Sequence, residues 1–202
     1  GDVTFSDVSL NWQAPASDIK IQWHNDYDYN GTDGVLSSPE SAVVYYVASK
    51  FTKEEIKNYV GEVVDSLSFF EYRPSYKVTG MIYEDGVPVV EQPVDLSNFT
   101  KNSLRKFALT TPYTIPAEKE IMFVIKYEYG YNQEMTAICD ESPTVGKGNL
   151  TSSDGKTWTS NGPGDYLITA YVKNNDKTAA PDGYNVYRDG VKVNAELITE
   201  TT

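Results

Sequence analysis

The chain has 202 residues, 29 acidic against 17 basic, for a formal charge of −12. Such a field repels nucleic acid, whose binding rests on Lys and Arg neutralising phosphates, and disfavours an anionic membrane surface. No apolar run reaches the roughly 20 residues of a membrane-spanning helix, so direct membrane insertion is not expected. The lone Cys139 excludes an intrachain disulfide. Sixteen Tyr among 13% aromatics favour pleated strands, where rings pack well on a half-buried surface.

In chain order, Val3, Phe5, Val8 and Leu10 lead into Trp12, and Pro15 closes that segment. Ile19, Ile21 and Trp23 alternate with polar residues, as a half-buried strand requires. Ala42 to Ala48 is a short apolar run that predicts a central strand. Thr52 and Glu55 form a capping box, and Ile56, Tyr59 and Val60 give one apolar face to a short helix. Strands are expected over Val63 to Phe69, Tyr76 to Tyr83, Leu104 to Leu109, Glu120 to Tyr129 and Tyr166 to Val172. The clearest is the fourth of these, with Ile121, Phe123, Ile125, Tyr127 and Tyr129 on one face. Glu84-Asp85-Gly86-Val87 reads as a tight hairpin, because Asp-Gly suits turns that need positive φ. Many short strands, one short helix and regular turns predict an all-β jelly-roll β-sandwich.

The two chain ends belong together in this reading. Val8 to Pro15 resembles the second strand of a fibronectin type III domain, with a Trp before an Ala-Pro pair. Gly183 to Gly190 resembles the third strand, and Val191 to Thr202 its continuation. The resemblance implies that residues 18–175 form a domain inserted into one loop. Residues 1–17 and 176–202 would then form a discontinuous, incomplete fibronectin type III-like β unit. Loop closure becomes only slowly less favourable with length, so such insertions are tolerated. The remaining strands are expected after Thr202, in a longer parent chain with other domains. Packing of the two ends as edge strands of the main sandwich is the alternative.

Four central stretches carry a second resemblance. They are the acidic loop Trp23 to Gly34, Val43 to Tyr59, Val63 to Phe70, and Cys139 to Leu150 with Asp154, Gly155 and Trp158 beyond it. In that order they are similar to the cleaved adhesin (haemagglutinin) domains of gingipain-like proteins. These are jelly-roll modules in secreted proteins of Bacteroides-type bacteria. The resemblance implies a secreted protein, extracellular or at the cell surface in association with the outer membrane. It also implies adhesion to a host protein, a haem protein or a glycan, with structural calcium in some members.

Candidate chemistry is sparse. Asp26, Asp28 and Asn30, followed by Gly31, match the opening of a calcium loop with oxygen ligands at alternate positions. Ser37 stands where a bidentate Glu would complete a helix-loop-helix site, so that arrangement is rejected. A looser calcium site from Asp26, Asp28, Asn30 and Asp33 is one reading; a solvated loop of turn-forming residues is the other. Asp140 and Glu141 follow the single Cys, as further metal or ligand contacts or as turn caps. Tyr27, Tyr29, Tyr72, Tyr76, Tyr131 and Trp158 fall near predicted loops or strand ends. There a ring can stack on a sugar or simply pack. Of these candidates, Tyr27, Tyr29, Trp158 and Asp140 are the expected ligand contacts.

His24 is the only histidine, beside Trp23 and without a nucleophile elbow in the chain. One His and one Cys supply too few ligands for zinc, and no carboxylate pair is marked out for glycoside hydrolysis. No catalytic residues are therefore expected. The expected function is that of a non-catalytic extracellular binding or adhesion module acting on a host protein or glycan. The alternative is a carbohydrate-binding accessory domain of a secreted hydrolase or protease.

Overall fold

The structure, a computed structural model, describes residues 19–25, 35–37, 43–72, 75, 77–130, 135–140, 142–173, 187–188 and 191–192. The strands expected between Val3 and Pro15 lie outside them. The chain divides into two compact units, one of Ile19–Lys173 and one of Gly1–Asp18 with Asn174–Thr202. In the latter, the described residues are β13 (Tyr187–Arg188) and β14 (Val191–Lys192), an antiparallel pair flanking Asp189-Gly190.

In the larger unit the chain runs through β1 (Ile19–Ile21), β2 (Val35–Ser37) and β3 (Val43–Phe51). Helix α1 (Lys53–Ile56) and a 3₁₀ turn follow. Next come β4 (Val63–Glu71), β5 (Lys77–Glu84), β6 (Val87–Pro93), β7 (Ser103–Thr114) and β8 (Ile121–Tyr129). The unit ends with β9 (Met135–Thr136), β10 (Leu150–Ser152), β11 (Thr159–Ser160) and β12 (Thr169–Lys173). One sheet has the order β1-β12-β4-β7, the other β11-β10-β3-β8-β5-β6, and β2 pairs with β9. Without the short β10 and β11, two four-stranded antiparallel layers remain, β1-β12-β4-β7 and β3-β8-β5-β6. That interleaved order is the double Greek key of a jelly roll, so the expected all-β sandwich with one short helix is what the unit forms.

Side-chain period decides which face goes inside. Ile121, Phe123, Ile125, Tyr127 and Tyr129 of β8 are all buried, in one core with Val64, Leu67 and Phe69 of β4 and Ala170 and Val172 of β12. Each of the Ile, Val, Leu and Phe side chains contributes about 1.5–3 kcal/mol of transfer free energy. Gly80 of β5 admits the ring of Phe107, since a Cβ there would stand 2.3 Å from Phe107 Cζ. The opposite face of β8 is also covered, because Met122 and Val124 cluster with Met81, Tyr83, Tyr46 and Trp158. Burial on both faces explains why β8 begins as an almost unbroken apolar run.

The local signals act as expected. Asp85 (φ 47°) and Gly86 (φ 80°) make the two-residue turn between β5 and β6. Thr52 and Glu55 close both halves of the capping box on α1. Two expectations change. Trp23 leaves β1 and donates its indole N–H to the Lys50 carbonyl at 2.7 Å, stacked on Phe51. The strand expected from Tyr166 starts only at Thr169; Tyr166 instead makes an isolated bridge to Cys139.

Candidate functional site

Of the acidic segment predicted to carry calcium, Trp23, His24 and Asn25 are among the described residues. His24 is 5% exposed, with Nδ1 2.8 Å from the Asn25 carbonyl and Nε2 2.9 Å from Thr169 Oγ1. Thr169 donates to Gln22 Oε1 at 2.8 Å, and Gln22 Nε2 donates to the His24 carbonyl at 3.1 Å. Asp140 sits alongside, and its carboxylate accepts from the backbone N–H groups of Asn25, Ser142 and Asp165 at 3.3, 3.0 and 2.9 Å. The main chains of Asp140 and Asp165 also meet, the Asp140 N–H donating to the Asp165 carbonyl at 2.9 Å. Asp165 accepts in turn from the Thr144 N–H and hydroxyl at 2.6 and 2.5 Å.

Backbone packing makes this clasp possible. A Cβ at Gly164 would lie 1.6 Å from the Asp140 carbonyl oxygen, and one at Gly148 would lie 2.2 Å from Asp165 Oδ1. Burial pushes the Asp165 carboxyl above the ordinary range, against the Thr144 hydrogen bonds, while the Asp140 charge adds to the rise and His24 opposes it. Burial also pushes the Cys139 thiol up to about 11, with Asp140 adding to the effect. A thiolate is therefore disfavoured at neutral pH. The polar groups of the clasp are turned on one another.

Of the residues expected to bind metal or ligand, Asp26, Tyr27, Asp28, Tyr29, Asn30 and Asp33 lie outside the described residues, as do Tyr76, Tyr131 and Glu141. Among the described residues no three His, Cys, Asp or Glu side chains gather in a way that would hold a metal ion. Asp140 is buried, and both of its oxygens accept backbone hydrogen bonds. Tyr72 lies under the Lys101 ammonium, 4.9 Å from ring centre to Nζ.

Trp158 lies on the outer face of the larger sheet, edge to face with Tyr46 and Tyr83 at 6.3 and 5.9 Å between ring centres. Gly155 presses on the same two tyrosines; a Cβ there would be 3.1 Å from each. Asp154 holds this loop by accepting from the Lys156 and Thr157 N–H groups, both at 2.7 Å, which keeps its carboxyl well below the usual range. The half-buried indole thus anchors the segment between β10 and β11 to the sheet.

A feature not anticipated from the sequence lies where the two sheets part. β6 and β7 are edge strands of opposite layers, and a groove of about 460 Å³ runs between Val89–Gln92 and Thr110–Thr114. Its origin is a break in register. Val64 of β4 pairs with Tyr113 and Ser66 with Ala108, so four residues of β7 bulge out opposite Asp65. The bulge reaches the other sheet, where the Thr110 N–H donates to Gln92 Oε1 at 2.8 Å. Below it, the Tyr113 hydroxyl donates to Glu84 Oε1 at 3.0 Å. Burial, and then Glu84, hold the Tyr113 proton well above its ordinary pKa. The Val94 N–H bonds to the Val78 carbonyl, so alternation turns position 93 away from the sheet. Pro93 stands there, and Pro88 stands near the other end of β6, where an edge tolerates a missing donor. These prolines were the available sequence signal for an edge strand; the bulge left none. No protein-family model and no curated protein matches the chain.

Proposed function

We propose that the chain is a non-catalytic extracellular binding or adhesion module of a bacterial surface or secreted protein, directed at a host protein or glycan. The observation that carries this reading is the state of its most reactive side chains. His24 is bonded at both ring nitrogens, Cys139 is buried with a raised thiol pKa, and the Asp140 carboxylate accepts from three backbone N–H groups. Acyl transfer would need such groups poised at an open cleft. The groove between β6 and β7 instead presents side chains suited to recognition. The test is retention of the purified chain on immobilised extracellular host proteins and glycans, alongside hydrolysis assays on the same panel. Saturable retention without turnover is expected; turnover by the isolated chain would overturn the reading.

The second reading, a carbohydrate-binding accessory domain of a secreted hydrolase or protease, draws on the partly buried Trp158 on the outer face of the larger sheet. It predicts sugar binding that is lost in Trp158→Ala. Structural calcium at Asp26, Asp28, Asn30 and Asp33 belongs to the proposal as well. It predicts that a chelator lowers the melting temperature by several degrees, and an unchanged melting curve would remove the ion. The chain ends are proposed to contribute a fibronectin type III-like unit within a longer parent protein.

A further inference from the structure

We infer that the groove between β6 and β7 is a binding site for a neutral saccharide. This rests on the reading of the chain as a binding module, and it names the place and the ligand class. The groove's volume of about 460 Å³ falls within the roughly 300–1,000 Å³ of small-molecule sites. Its walls mix two kinds of surface. Thr110, Thr111 and Thr114 bring hydroxyl groups and Gln92 an amide, while Val89 and Pro112 give apolar patches. Hydroxyls and an amide match the alternating donors and acceptors of a sugar, and apolar side chains match its C–H faces. Thr110 and Thr111 are exposed, so the chemistry faces outward.

Charge narrows the class. Glu91 is the single ionisable carboxylate in the lining, and none of the lining residues is Lys, Arg or His. Sialylated or sulfated glycans would enter against that carboxylate and against the chain's formal charge of −12. An extended peptide is disfavoured for a different reason. Strand addition needs a row of outward N–H groups, and Pro88 and Pro93 interrupt that row on β6. The site is also braced before any ligand arrives, because the Gln92–Thr110 hydrogen bond ties one wall to the other.

The experiment uses the whole chain on an array carrying neutral, sialylated and sulfated glycans together with host extracellular proteins and extended peptides. The best-retained neutral oligosaccharide is then titrated calorimetrically against the parent and the Thr111→Val/Thr114→Val double variant. Both changes lie on exposed positions, and an unchanged melting temperature verifies the fold. Loss of two hydrogen bonds should weaken the sugar by about tenfold or more. Neutral-sugar binding indifferent to the groove variant, preferential retention of anionic glycans, or retention of peptides would overturn the inference. Retention of host proteins alone would overturn the saccharide but keep the binding-module reading. No retention on any surface would overturn both.

Discussion

Two polar regions of the larger unit use similar side chains to opposite ends. In the clasp around Asp140 and Asp165, two buried carboxylates are satisfied by backbone N–H groups and by the part-buried Thr144 hydroxyl. In the groove between β6 and β7, threonines and an amide of comparable polarity stand at the surface, with one hydrogen bond bracing the walls. The difference teaches which polar groups hold the fold and which remain for a partner. Buried groups carry large desolvation penalties when a partner is removed; exposed ones change partners freely with water. Substitutions should therefore separate the two regions by stability alone.

The largest effect is expected at Gly164, where any Cβ collides with the Asp140 carbonyl oxygen. Gly164→Ala should lower stability by about 3 kcal/mol or more, seen as a fall of about 10 °C in the melting temperature. Next comes Asp140→Ala, which strands three N–H donors. A loss of about 3 kcal/mol is expected in chemical denaturation. Thr52→Ala, which removes half of a capping box at the surface, should cost about 1 kcal/mol. The groove variant Thr111→Val should shift stability by less than about 0.5 kcal/mol. If groove and clasp variants destabilised alike, the contrast between the regions would fail.

Acidity sharpens the same comparison. The folded-state pKa of Asp165 is raised, chiefly by burial. Its ionisation is therefore easier in the unfolded chain. The resulting destabilisation is absent below the unfolded carboxylate pKa and complete once pH passes the folded value. Asp165→Asn removes this titration while keeping an acceptor for the Thr144 N–H. Melting temperatures of variant and parent, compared from acid to neutral pH, should diverge in the variant's favour as pH rises. A difference that does not change with pH would show that burial of the carboxylate carries no such penalty.

Much of this fold was legible because period and punctuation agree. The alternation from Ile121 to Tyr129 marked both the existence and the facing of β8, and Asp85-Gly86 marked the hairpin between β5 and β6. Thr52 and Glu55 announced the helix start. The clasp was not legible, since Asp140 and Asp165 are brought together by tertiary packing over glycines, with no local pattern to link them. For the same reason Tyr166 read as strand although it only bridges to Cys139. The groove was hidden because a bulge between Ala108 and Tyr113 depends on where Ser66 and Val64 pair, which is a property of register. Trp158 stood out as an aromatic near a loop, but not the Tyr46 and Tyr83 rings that receive it.

The most direct test maps amide chemical-shift changes across the isotope-labelled chain as the best-retained glycan or protein is added. The account predicts shifts concentrated at residues 89–92 and 110–114, with Asp140, Thr144 and Asp165 unmoved. Shifts centred on the clasp, with the β6 and β7 residues silent, would contradict it.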